Sequence, residues 1–202
     1  MTYPVQLDVT SPPRFDRVQV LLRLVVAIAL GWLGITAGWL TCLVFVAVPA
    51  VAAIVVSTRG PAIYLDQVGP TLWRALGWLL AFAAYMLLVV DRFPVGEPTG
   101  LRLELRVTGQ PTTSSALLRL VTSIPSALVL GVLGLVSQIL FVAGAVVVLV
   151  DGRVPDGILG FQRGVLRWTA RLFAYHGSLV EGYPPFSFDE SHAQPGDRAS
   201  MM

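Results

Sequence analysis

The sequence predicts an all-α membrane protein made of two tandem helical-hairpin repeats, each with a short N-terminal strand and a following interfacial or re-entrant helix. Three observations carry that prediction. Of the 202 residues, 55% are hydrophobic and only 13% are charged, against roughly 25% charged in an average soluble domain. Residues 24–58 and 120–150 contain no Asp, Glu, Lys, Arg or His, whereas one crossing of a hydrocarbon layer needs only about 20 apolar residues. The order strand, turn, Leu-Leu-Arg-Leu, apolar run also occurs twice along the chain.

The first repeat is assigned to residues 1–97. Residues 5–9 alternate apolar and polar, the period of a strand with one covered face, and Ser11-Pro12-Pro13 ends it. A straight helix over 24–58 would extend about 52 Å, well beyond the hydrocarbon thickness. The run is therefore expected to fold as a membrane hairpin over 21–57, reversing near Gly38-Trp39-Leu40-Thr41 with Trp39 at headgroup level. Arg59-Gly60-Pro61 stops the second leg. Residues 71–90, with Trp73, Arg74, Trp78 and Tyr85, read as a helix that either spans or lies at the interface.

The second repeat is assigned to residues 98–188. Leu101-Arg102-Leu103-Glu104-Leu105-Arg106-Val107 alternates strictly and predicts a strand over 101–107 that pairs with 5–9, since a lone strand leaves both edges open. Leu21-Leu22-Arg23-Leu24 recurs ninety-six residues later as Leu117-Leu118-Arg119-Leu120, and Asp91-Arg92-Phe93-Pro94 recurs ninety residues later as Glu181-Gly182-Tyr183-Pro184. Agreement through the polar flanks points to internal duplication. A second hairpin is expected over 117–150 and an amphipathic helix over 158–180. On that helix Arg163, Arg167 and Arg171 are four apart and share one face. They are expected to contact lipid headgroups, with Trp168 and Tyr175 at the interface; the alternative is that they solvate a helix packed on protein. Residues 189–202 are polar and small and are expected to be a disordered tail.

The supply of reactive groups is thin. Cys42 is the single cysteine, which excludes an intrachain disulfide and a cysteine metal cluster. His176 and His192 are the only histidines, and neither has a partner at metal-ligand spacing. No phosphate-binding glycine loop occurs, and the apolar runs lack the carboxylate that a proton or ion relay requires. A formal charge of +2 is too small to imply nucleic acid. No catalytic residue, metal or cofactor is expected, and no cleaved secretory signal either.

The second repeat resembles the DUF4389 family, uncharacterised bacterial membrane proteins. The likeness rests on Leu117-Leu118-Arg119-Leu120, Ile124-Pro125, Gly152-Arg153-Val154-Pro155, Arg167-Trp168, Arg171, Tyr175 and Glu181-Gly182-Tyr183-Pro184-Pro185-Phe186. The first repeat is degenerate, with Ile28-Ala29 and Arg59-Gly60-Pro61 in place of two of these motifs. The resemblance implies architecture and no reaction, so Arg23, Arg119, Arg153, Pro155, Glu181, Tyr183, Pro184 and Pro185 stand as motif residues of unassigned role.

A non-enzymatic scaffold or accessory subunit of a membrane complex is the function expected, with membrane lipids and a membrane protein or second copy as partners. The alternative is a small channel or transporter built on the duplicated unit. Every apolar run is flanked by arginine, which favours the cytoplasmic side. The expected placement is therefore a multi-pass protein of the bacterial inner (cell) membrane, with both termini and the 92–116 linker cytoplasmic.

Overall fold

The computed structural model of the chain describes residues 3–32, 37–95 and 100–188, with backbone alone over 37–41. The element order is β1 (Val5–Val9), α1 (Arg17–Trp32), α2 (Ala37–Arg59), a single turn α3 (Pro61–Ile63), a π-helical turn Tyr64–Val68, α4 (Gly69–Met86), β2 (Leu101–Leu105), α5 (Thr113–Thr122), α6 (Ile124–Asp151) and α7 (Asp156–His176). The residues 189–202 that were expected to form a tail lie outside the described part.

The two alternating segments pair antiparallel, Leu7 opposite Leu103. Val5, Leu7 and Val9 are buried while Gln6 and Asp8 face outward, as a period of two requires. The second strand stops at Leu105 rather than Val107, although Arg106 still donates its N–H to Pro4 O at 2.9 Å.

The helices depart from the expected hairpins. α6 runs unbroken for 28 residues, about 42 Å, so residues 117–150 form no hairpin. Nothing after Pro125 in that run stops a helix, and Pro125 itself sits in the first turn, where its missing N–H needs no partner. The chain breaks instead at Ser123, between α6 and the short α5 that Thr112 caps through a reciprocal bond pair with Ser115. The first hairpin, 21–57, is corrected too. Residues 38–41 lie inside α2. α1 packs on α6, with Arg17 Nη2 donating to Val150 O at 2.8 Å and Phe15 N–H to Gly152 O at 2.8 Å. α2 packs on α5 through Ala52, Ala53, Val56 and Ala116. The start of α1 thus meets the end of α6, and the end of α2 meets α5 at the opposite end of α6. A hairpin would bring its own ends together; here the α1–α2 leg and the α5–α6 leg run antiparallel beside each other.

α4 and α7 form a middle layer against these legs. The helix expected over 71–90 starts earlier and ends at Met86, and that expected over 158–180 spans Asp156–His176. Leu80, Ala84 and Tyr85 of α4 meet Leu166, Ala170 and Ala174 of α7, and β1 closes the cluster from the far side with Val5, Leu7 and Val9. The order of layers is sheet, α4 with α7, then the two long legs.

Both middle helices end in the same turn. Val89 N–H bonds Ala84 O and Leu88 N–H bonds Tyr85 O; Leu179 N–H bonds Ala174 O and Ser178 N–H bonds Tyr175 O. This is the Schellman pattern, and its left-handed residue is Leu88 (φ 58°) in one helix and Ser178 (φ 59°) in the other. Glycine normally fills that place. Ser178 is wholly buried and its hydroxyl has no partner among the described residues, so Ser178→Gly relieves both the backbone and an orphaned donor. The expected result is a gain of about 1 kcal/mol, read as a higher Tm in detergent; an unchanged or lower Tm would show that neither strain is present.

Candidate functional site

The residues that organise the molecule are two buried arginines. Arg23, on α1, is completely buried. Its Nε donates to Tyr85 O at 2.6 Å, and its Nη2 donates to Val90 O at 2.7 Å and Asp91 O at 3.3 Å. The guanidinium lies 4.2 Å over the Tyr85 ring and 3.7 Å from the Asp91 carboxylate. Arg119, on α5, repeats this. Its Nη1 donates to Tyr175 O at 2.5 Å and Val180 O at 2.6 Å, and its Nη2 to Glu181 Oε2 at 3.3 Å, with the Tyr175 ring 4.6 Å away. Each arginine supplies the donors that carbonyls at a helix C-terminus lack, with its charge set at the negative end of the helix dipole. A planar fork offers five donors spread over a fixed plane, whereas an ammonium offers three from a single point.

Around each arginine the neighbours also correspond. Tyr85 OH donates to Gln19 Oε1 at 3.2 Å, and Tyr175 OH lies 2.9 Å from Thr122 Oγ1. Phe93 meets Tyr85 edge-on at 5.3 Å, as Tyr183 meets Tyr175 at 5.2 Å. The acids differ in reach: Asp91 accepts from Asp16 N–H at 3.1 Å and Glu181 from Gln110 N–H at 3.3 Å.

A third junction ties α7 to both legs. Pro49 lies inside α2 and has no N–H to offer the carbonyl four residues back, that of Phe45. His176 takes the vacancy: its Nε2 is 2.6 Å from Phe45 O, its ring stacks on Phe45 at 4.3 Å, and its Nδ1 is 2.9 Å from Ser123 Oγ. Because a carbonyl only accepts, Nε2 carries the proton and Nδ1 accepts from Ser123. Burial pushes the His176 pKa below its ordinary value, partly offset by the bond to Phe45. Nearby, Tyr64 donates to Gly177 O at 2.5 Å, and burial raises its phenol to about 12.

The arginines expected at lipid headgroups go elsewhere. Arg171 is 4% exposed and donates to Ser187 O at 3.2 Å. Arg167 donates to Leu7 O at 3.1 Å and Phe188 O at 3.5 Å. Trp168 is 5% exposed, edge-on to Phe186. The headgroup expectation is corrected for Arg171 and Trp168, which the sheet and the 182–188 strap cover, and Tyr175 serves the Arg119 cluster. Arg163, half-buried, lines an open groove of about 990 Å³ together with Arg14, Arg153, Pro155 and Asp156. Glu181 precedes the strap and faces Arg119, while Tyr183 and Pro184 belong to it: Tyr183 Oη is 2.6 Å from Ser126 Oγ, and Pro184 is buried while Pro185 is exposed. His176 was set aside at the sequence level; the signal that could have found it is Pro49, which orphans one carbonyl inside an apolar helix.

The fold and these brackets define a mainly helical protein in which, among the described residues, two helices are long and apolar enough to cross a membrane, α2 over Cys42–Arg59 and α6. Residues 113–187 match the family model for a domain of unknown function, DUF4389. The match begins at α5 and ends within the strap, and so contains the whole Arg119 bracket. No curated protein and no solved structure matches the chain.

Arg23→Ala and Arg119→Ala are each expected to lower stability by about 3–5 kcal/mol, because buried carbonyls lose a charged partner. Lysine at either place should recover less than half of the loss. Chemical denaturation in detergent measures both; a lysine variant as stable as the parent would mean that the fork geometry is not needed. His176 makes stability pH-dependent. Its folded pKa lies below the unfolded value of about 6.5, so its contribution is complete above that pH and declines as pH falls below it, where the unfolded chain binds the proton and the folded one does not. The Tm should drop between about pH 7.5 and 5.5, and His176→Gln should flatten that drop.

Proposed function

We propose that the protein is a non-enzymatic membrane scaffold or accessory subunit, embedded through its long legs and presenting the sheet and the 182–188 strap to the aqueous side of the cell membrane. The observation that carries the reading is the surface of α6. Its apolar window is only 17% buried, and that of α2 only 28%. Leu128, Leu135, Ile139, Val142 and Val150 are each more than 60% exposed. A core helix of a water-soluble domain hides such side chains, since contiguous exposed apolar surface is avoided on soluble monomers. The charge-free lengths match a hydrocarbon environment.

Internal duplication supports the scaffold reading. The Arg23 and Arg119 brackets use the same bonds to corresponding residues, down to the left-handed Leu88 and Ser178, as expected if one unit had been copied and the first copy had lost the family's other motifs. In both brackets the shared bond pattern serves packing, which leaves the exposed Pro185 and Phe186, the latter 56% exposed, as a surface for a partner protein. Membrane lipids are the other partner, met at the groove by Arg14, Arg153 and Arg163.

Alkaline carbonate washing of membranes from expressing cells should leave the chain in the pellet until detergent is added, and vesicles holding the purified chain should show no selective, saturable solute flux. Recovery in the alkaline supernatant would sink membrane embedding. Saturable flux would replace the scaffold with a transporter.

A further inference from the structure

The two apolar legs are long enough to cross a bilayer, but the rest of the molecule argues about their direction. α7 lies antiparallel along α6: His176 meets Ser123 at one end, Gln162 Nε2 donates to Ser137 O at 2.9 Å, and Ile158 and Val154 approach Gly144 toward the other. Arg167 is five residues beyond Gln162, about 7–8 Å along the helix toward His176, which sets it level with about residue 132, in the N-terminal half of α6 and about 12 Å from its start. There Arg167 donates to Leu7 O, and Leu7 is the centre of β1, paired with Leu103. The two-stranded sheet therefore sits beside the N-terminal half of α6, two layers away from it. Its outer face carries Gln6, Asp8 and the exposed Arg102–Glu104 ion pair, whose side chains are 81% and 56% exposed.

If α6 stood centred across the bilayer, the middle of this sheet would be about 8 Å from mid-depth, inside a hydrocarbon half-thickness of about 15 Å. Two open strand edges would face hydrocarbon, where no water can pair them. Asp8, Arg102 and Glu104 would each add about 2.5–3.5 kcal/mol or more. Laid in the plane, the same molecule meets no such penalty: the legs enter one leaflet, α4 and α7 cover them, and the sheet is roughly 20 Å further out, from two layer spacings of about 10 Å. The exposed large hydrophobics concentrate on α1, α2, α5 and α6, on the side away from the sheet.

The flanking charges agree. The α1–α2 leg starts at Arg17 and ends at Arg59; the α5–α6 leg follows Arg106 and precedes Arg153. Basic flanks stay on one side of a membrane. With hairpins excluded, a leg whose two ends stay on the same side cannot cross, and must lie along the surface.

We propose that the protein is monotopic, its α1–α2 and α5–α6 legs lying side by side within one leaflet of a phospholipid membrane, with none of them crossing it. The proposal rests on the membrane reading above and fixes its orientation. Leu128, Leu135, Val142 and Leu149 form one outward stripe along α6, seven residues apart and all exposed. Single variants Leu128→Cys, Leu135→Cys, Val142→Cys and Leu149→Cys, made in a Cys42→Ser background of the full chain, are nitroxide-labelled and reconstituted in phosphatidylcholine–phosphatidylglycerol vesicles. Collision with oxygen against a water-soluble nickel complex then reports depth. The expected result is four similar depths, within about 5 Å of each other and in the 5–10 Å zone below the headgroups, with a label at Arg102→Cys fully open to water. Depth that peaks at 135 and 142 by about 10–15 Å, the half-thickness of the hydrocarbon, overturns the proposal in favour of spanning. Four labels shielded from oxygen and nickel alike, together with cross-linking to a second copy, overturn it in favour of a dimer face. Carbonate extraction separates the two readings: a chain released by alkali fails as a membrane protein, whereas a chain retained with a peaked profile fails only in its orientation.

Discussion

Everything in this fold hangs on guanidinium groups inserted against helix C-terminal carbonyls. A buried arginine is among the most expensive groups to take out of water, and it is tolerated only where several acceptors converge on it. Arg23 and Arg119 find those acceptors in the Schellman turns that end α4 and α7. The turns in turn need the arginines, because their last carbonyls face the interior and not solvent. The dependence is mutual: neither the long legs nor the middle layer has a satisfied polar inventory without the other.

From that constraint the arrangement of the legs follows. Arg23 fastens α1 to the end of α4, and Arg119 fastens α5 to the end of α7, while α4 and α7 cross each other at Leu80, Ala84, Leu166 and Ala170. Two legs, each pinned near its start to one of two antiparallel helices, are themselves driven antiparallel. The remaining bonds then fall in place along the seam: Arg17 to Val150 at one end, Val56 against Ala116 at the other, and between them His176, joined to Phe45 and Ser123. Pro49 has a positive role here. By emptying one carbonyl of α2 it creates the single acceptor through which α7 can grip an otherwise featureless apolar helix.

Part of this was legible in the sequence. Both strands, their pairing and the apolar character of the legs could be read from period and composition, because alternation and charge depletion are local properties. Leu21-Leu22-Arg23-Leu24 and Leu117-Leu118-Arg119-Leu120 could be matched as motifs, but their role could not. A lone arginine at the edge of an apolar run reads as a flank, and only the fold reveals that it turns inward to carbonyls more than fifty residues away. Arg167 and Arg171 misled for a similar reason. Spacing by four fixes a common face but not what covers it, and the strand and strap that do so are distant in sequence. The hairpins failed on a different point: they were inferred from the length of the runs and, in the first, from a glycine and a tryptophan near its middle, and neither forces a reversal, since Gly38 and Trp39 lie inside α2.

That last failure bears on how charge-free runs are read in general. A run without charges declares the solvent its side chains prefer, not the direction in which it crosses that solvent. Direction is decided by what is bolted to the run. In a bare helix the basic residues at each end are the only guide, and they are ambiguous when both ends carry them, because a hairpin and a flat helix satisfy the rule equally. Here α6 is continuous, which removes the hairpin, and Arg167 ties a charged, open-edged sheet to the level of its N-terminal half, inside the hydrocarbon if α6 stands centred across it, which makes that upright position costly by several kilocalories per mole. Two facts that are each uninformative about depth, an unbroken helix and a polar sheet held beside its length, together leave the membrane plane as the direction in which both the apolar and the charged surfaces find their solvents.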